Sequence, residues 1–90
     1  MEILQALALR GTAKILKGLK SNGPMRYQHL VRLVGFSSTT SRSLKSMEKL
    51  NLIARRTLDE PYRPVEYRLT AKGEAVLRLV LDIEKVAPEG

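Results

Sequence analysis

Between Ser37 and Leu50 the chain reads SSTTSRSLKSMEKL, with seven hydroxyl side chains in fourteen positions. Ser and Thr compete for backbone hydrogen bonds and favour caps and turns, so composition alone argues against a helix. Apolar spacing argues for one. Leu44, Met47 and Leu50 recur every three residues and gather on one side at about 100° per residue. The opposite side collects Ser38, Ser41, Arg42, Lys45 and Lys49. A helix is expected over about residues 38–50, with Ser37 as its N-cap and Asn51 as a left-handed terminator. Thr40 and Ser43 are small enough to lie near its packed side.

The flanking segments constrain the fold further. Before the hydroxyl-rich stretch, YQHLVRLVG carries Leu30, Val31 and Val34 on one helical face and ends at Gly35, a C-terminal cap. Earlier still, EILQALAL (residues 2–9) has helical spacing at Ile3, Leu4 and Leu7, and Gly11 interrupts it. Thr12 can cap AKILKGLKS, which turns Ile15, Leu16 and Leu19 inward and Lys14, Lys17 and Lys20 toward solvent. SNGP stops that helix, and Met25 and Arg26 form a short extended link. After Asn51, LIARRTL and VEYRL read as strands, the second alternating Val65, Tyr67 and Leu69 with Glu66 and Arg68. The DEPYRP between them has the chemistry of a hairpin loop. Thr70 caps a last helix to about Val86. The reading is one domain over residues 1–90, mainly α with a small β-hairpin (α+β).

Charge is segregated along the chain. The net charge is +7, but Arg10 to Arg56 holds eleven Lys or Arg against one acid, Glu48, whereas Thr57 to Gly90 holds five basic and seven acidic residues. A basic half joined to a near-neutral half points to a polyanionic partner on one face. Cysteine is absent and His29 stands alone, which leaves nothing for thiolate metal sites, disulfides or a cysteine nucleophile, and little for zinc. The acids are scattered, and GLKSNG lacks phosphate-loop spacing. No enzyme, cofactor or metal is expected. With Glu2 after Met1 and purely apolar runs of no more than four residues, no export signal or membrane span is expected either. The expected location is the cytoplasm, in association with the nucleoid.

Two short helices joined by a glycine turn, the second basic and hydroxyl-rich, followed by a hairpin, make a winged helix-turn-helix. The chain resembles the small winged-helix transcriptional regulators of bacteria and archaea in the MarR, HxlR and ArsR neighbourhood. The resemblance runs from about Ile15 to Leu77, through ILKGLKSNGPMRYQHLVRLVGFSSTTSRSLKSMEKLNLIARR and PVEYRLTAKGEAVL. PVEYRLTAKG is most similar to HxlR-type regulators. The chain lacks the N-terminal cysteine that some of them use for sensing, so redox sensing is not expected. The resemblance implies a helix-turn-helix over about residues 27–50, a wing over about 52–69 and a C-terminal dimerisation helix over about 70–86.

The physics of a major groove about 12 Å wide agrees with this, since it admits one helix whose side chains are short where its backbone lies close to the duplex. Ser37, Ser38, Thr39 and Ser41 are short; Arg42, Lys45 and Lys49 are long and basic. Arg26, Tyr27, Gln28 and Arg32, on or before the preceding helix, are placed to hold the DNA backbone. Arg55, Arg56 and Arg63 belong to the hairpin, where an Arg can enter a narrow minor groove. Consecutive strand residues point to opposite faces, so at most one of Arg55 and Arg56 is expected to face DNA while the other covers core. Asp59 and Glu60 near the tip oppose phosphate contact.

The last helix carries apolar residues around most of its circumference. Leu79, Val80, Ile83 and Val86, with Ile3, Leu4 and Leu7, are expected to form a homodimer interface. A two-fold dimer sets two recognition helices about 34–36 Å apart on successive major grooves. The expected function is a sequence-specific, double-stranded-DNA-binding transcriptional regulator with no inferable small-molecule effector. The alternatives are a weakly specific architectural DNA binder and a protein-interaction winged helix that ignores DNA. An RNA binder would need aromatic stacking surfaces that Phe36, Tyr27, Tyr62 and Tyr67 scarcely supply.

Overall fold

A computed structural model of the chain describes residues 11–86; the segment expected to form a first helix, with Ile3, Leu4 and Leu7, lies outside them. Helix α1 spans Thr12–Asn22, and its N-cap is Gly11, in a left-handed conformation with φ 92°. Its carbonyl accepts the first helical bond, from the Ile15 amide at 2.8 Å. Thr12 is therefore not the cap. It is the first helical residue, fully buried, because Ile15, Leu16 and Leu19 pull that side of the helix into the core. Gly23 ends α1 by donating its amide to Leu19 O at 3.0 Å, as SNGP predicts.

Met25–Arg26 form a two-residue strand, β1, rather than a free link. It pairs antiparallel with Val65–Leu69 (β3), through Met25 opposite Tyr67 and Arg26 opposite Glu66. Ile53–Thr57 (β2) pairs with the other edge of β3, so the sheet has three strands in the order β1-β3-β2. The hairpin was legible from alternation, but two residues are too few for alternation to show, and the third strand exists only because β3 offers it an edge.

Helix α2 (Tyr27–Val34) ends at Gly35, whose φ of 105° and amide bond to Val31 O at 2.7 Å close the turn into α3 (Ser37–Lys49). The N-cap of α3 is Phe36, not Ser37, and no side chain caps it. Instead Phe36 O accepts the Thr40 amide at 3.0 Å and the Thr40 hydroxyl at 2.7 Å. Asn51 terminates α3 as expected, with φ 60°. The Leu52 amide then reaches back to Met47 O at 2.9 Å, satisfying a carbonyl that the helix end would otherwise leave open.

Among the described residues the core draws on every helix and both long strands. Ile15, Leu16, Leu30, Met47 and Leu52 are fully buried, with Leu19, Val34, Leu44, Ile53, Tyr67, Val76 and Leu77 around them. Each such aliphatic side chain contributes about 1.5–3 kcal/mol on removal from water, so the tertiary packing outweighs the weak helix propensity of the hydroxyl-rich α3.

The last helix, α4 (Ala71–Val86), starts where the TAKG sequence demands. Thr70 Oγ1 accepts the Gly73 amide at 3.0 Å and donates to Asn51 O at 2.5 Å, joining the start of α4 to the end of α3. Gly73 lies against the Leu52 carbonyl so closely that a Cβ there would overlap the Leu52 oxygen. The glycine is thus required by close approach of two backbones.

Two ion pairs fasten α4 to α1: Lys17 Nζ to Glu84 at 2.9 Å, and Lys20 Nζ to Glu74 at 2.7 Å. The lysine face of α1, expected to be merely solvated, is in part an interhelical contact.

Candidate nucleic-acid interface

The outward face of α3 is basic and hydroxyl-lined. Ser37, Ser38, Arg42, Lys45 and Lys49 are exposed, and Thr39 and Ser41 are half-buried. Arg42, Lys45 and Lys49 form no ion pair with any described acid. The inward face holds Thr40, Ser43 and Ser46, buried beside Leu44 and Met47. The hydroxyls therefore divide into two sets, one that lets α3 pack closely on its own core and one that keeps its outer surface low.

Tyr27 fixes α3 in position. Its hydroxyl lies 2.7 Å from Ser41 Oγ, and at 3.5 Å it can also donate to Ser37 O. Tyr27, expected from the sequence to hold the DNA backbone, and Ser41, expected as a short side chain on the outward face of α3, are thus brought together at one junction between α2 and α3. Gln28 and Arg32 are exposed on α2, and so is His29, for which no role was expected.

The wing arginines are occupied differently from those of α3. Arg55 Nε stands 3.5 Å from Glu48 on α3, and Arg56 pairs at 3.0 Å with Glu66, its cross-strand neighbour. They do point to opposite faces, but both remain exposed, so neither serves to cover core. Arg55 also sits across from Tyr67. Burial, with the Glu48 charge, pushes the Tyr67 phenol above its ordinary value of 10.0, while Arg55 opposes the shift.

At the tip, Arg63 is exposed in a left-handed conformation, φ 46°, with its amide bonded to Glu60 O at 2.8 Å. Tyr62 is 95% exposed beside it. Arg26, on β1, pairs with Glu60 through Nη2, which donates to both carboxylate oxygens at 2.8 and 3.0 Å. A groove of about 380 Å³ runs between Arg26, Tyr27 and Gln28 on one side and Glu60, Pro61, Tyr62, Pro64 and Val65 on the other.

Two features escaped the sequence reading. Phe36, at the head of α3, is 64% exposed and shares a second groove with Lys14 and Thr39. Its place as cap residue could have been read from Thr40, four positions on. Glu60 was read only as a repulsive charge, and nothing local signals its partner, 34 residues away.

Among the described residues no three His, Asp or Glu side chains come together as metal ligands, and no helix is long and apolar enough to cross a membrane.

The order of elements, the glycine turn and the wing all agree with one family, and the model of HxlR-like helix-turn-helix proteins matches residues 7–89. The chain belongs to the HxlR-like helix-turn-helix family. Among solved structures, this HxlR-like chain is similar to diamide-treated YodB, from Bacillus subtilis, at 25% identity and a TM-score of 0.81, with 92% of this chain and 83% of that one covered. It is also similar to the transcriptional regulator Tm0710 from Thermotoga maritima, at 26% identity and a TM-score of 0.75, over 94% of this chain and 65% of that one. A MarR family transcription regulator matches at 29% identity and a TM-score of 0.74, over 93% of this chain and 58% of that one. No curated protein matches at a significant level. The winged-helix fold expected of an HxlR-like protein is the fold observed. α2 and α3 form its helix-turn-helix, and β2 and β3 form the wing.

Proposed function

We propose that the chain is a sequence-specific, double-stranded-DNA-binding transcriptional regulator that acts as a homodimer. The observation that carries this is the set of Arg42, Lys45 and Lys49 on the exposed face of α3, without acidic partners among the described residues. Membership in a helix-turn-helix family and likeness to transcriptional regulators support it. In this reading α3 enters the major groove, where Arg42 pairs with a base edge and Lys45 and Lys49 meet phosphates. Ser37, Ser38, Thr39 and Ser41 let the helix backbone approach. Gln28 and Arg32 hold the DNA backbone beside α2, and Arg63 stands at the wing tip. The single-domain division, with the helix-turn-helix, wing and dimerisation helix as bounded above, belongs to the same proposal.

Dimerisation is carried by α4. Val80 packs on the protein's own core, whereas Leu79 is 62%, Ile83 60% and Val86 84% exposed. Three large apolar side chains along one exposed stretch of helix favour a second copy as the occupant, with two-fold symmetry setting the two α3 helices one duplex turn apart.

Selection of bound duplexes from a random pool tests the proposal, followed by titration of a selected and a random duplex at several salt concentrations. If the dimer neutralises about eight phosphates, the slope of log affinity against log salt is about −7. A consensus with two-fold symmetry is expected. Binding without preference between the duplexes would identify an architectural protein instead, and affinity indifferent to salt would remove DNA as the partner.

A further inference from the structure

Five basic residues between Lys17 and Arg56 are paired with acids in the free protein: Lys17, Lys20, Arg26, Arg55 and Arg56. Four of these pairs join elements that already pack or pair with each other: two link α1 to α4, one links α3 to the strand that follows it, and one crosses adjacent strands. Arg26 with Glu60 is different. The guanidinium projects from β1, immediately before Tyr27 at the head of α2, and the carboxylate comes from the loop at the tip of the wing. One guanidinium nitrogen, Nη2, reaches both carboxylate oxygens, at 2.8 and 3.0 Å, and the pair spans the groove between α2 and the wing. Both side chains are partly exposed, at 39% and 45%, so an incoming anion can reach the guanidinium.

A carboxylate and a phosphodiester both offer Arg a pair of anionic oxygens as charge-assisted hydrogen-bond acceptors. We propose that Glu60 is an internal stand-in for a backbone phosphate: it occupies Arg26 in the free protein and must yield it for the groove between α2 and the wing to accept the DNA backbone. This rests on the DNA-binding reading above and adds to it an autoinhibitory contact that weakens binding on every duplex alike, because it bears on a phosphate contact and not on a base. Asp59, the neighbouring acid, makes no ion pair among the described residues. It therefore serves as the control for charge alone.

The experiment compares the full chain with Glu60→Gln, Asp59→Asn, Arg26→Met and the Arg26→Met/Glu60→Gln double variant, on a selected and a random duplex of equal length at one low salt concentration. Release of a surface ion pair of this kind is worth up to about fivefold, so Glu60→Gln is expected to tighten binding about twofold to fivefold on both duplexes. Asp59→Asn should tighten it less, and Glu60→Gln should have no effect in the Arg26→Met background. Thermal unfolding of each variant without DNA shows whether the fold is retained. Weaker binding by Glu60→Gln, with unfolding unchanged, would mean that Glu60 positions the wing for DNA and would overturn the inference. Equal gains from Glu60→Gln and Asp59→Asn would overturn it too, since bulk charge would then suffice. If the unaltered chain binds and Glu60→Gln binds no better, this inference fails and the DNA-binding reading stands; if the unaltered chain binds neither duplex, both fail.

Discussion

The Tyr27 hydroxyl lies 2.7 Å from Ser41 Oγ, and this one contact ties the head of α2 to the first turns of α3. Tyr27→Phe and Ser41→Ala should each lower stability by about 1 kcal/mol, and the double variant by little more than either single one. Denaturant unfolding of the four proteins measures the coupling. Additive losses would show that the two hydroxyls act independently.

The backbone approach at Gly73 should be the least tolerant position outside the apolar core. A Cβ there overlaps the Leu52 carbonyl, and neither backbone can shift without disturbing the Thr70 bonds to Asn51 O and from the Gly73 amide. Gly73→Ala is expected to cost about 3 kcal/mol. At Gly35, where φ is 105° and the surrounding space is open, Ala should cost only about 1–2 kcal/mol, from left-handed strain alone. Thermal unfolding of both variants provides the comparison.

The Lys20–Glu74 pair gives stability a defined acid limb. The Lys20 hydrogen bond, then its charge, hold the Glu74 carboxyl below its ordinary value of 4.5. A folded-state value lower than the unfolded one stabilises the native state above pH 4.5, and that contribution disappears as the pH falls through the lowered value. Glu74→Gln should therefore melt below the parent chain at neutral pH and converge with it in acid. Curves that stay parallel at all pH values would show that the pair contributes nothing.

Arg42 and Lys45 should separate base reading from phosphate contact. Arg42→Ala is expected to cost about 1–3 kcal/mol on a selected duplex and less on a random one, relaxing preference at one position. Lys45→Ala should weaken both duplexes alike. Equal losses for Arg42→Ala on both would assign that side chain to phosphate.

Ile83→Glu places a charge on the exposed stretch of α4, where the native side chain is 60% exposed. Helix content and unfolding should be preserved while the protein sediments as a monomer. Dimers that survive this change would place the interface elsewhere.

What the sequence determined by itself was local. The three-residue recurrence of Leu44, Met47 and Leu50, the glycine at position 35, the asparagine at 51 and the threonine at 70 announce helix faces and ends, because each works through bonds to residues a few positions away. The alternation of Val65, Tyr67 and Leu69 marks β3 for the same reason. The resemblance carried by PVEYRLTAKG adds the order in which these pieces assemble. The tertiary structure decided what depends on distant partners: that Met25 and Arg26 become a strand on the free edge of β3, that Phe36 rather than Ser37 heads α3, and that Lys17 and Lys20 reach across to α4. It also decided that Arg26 spends its charge on Glu60, 34 residues along. No local pattern encodes such a pair. The energy of one exposed ion pair is small, and its existence follows from where the much larger burial of Leu30, Met47 and Leu52 happens to bring the wing beside α2.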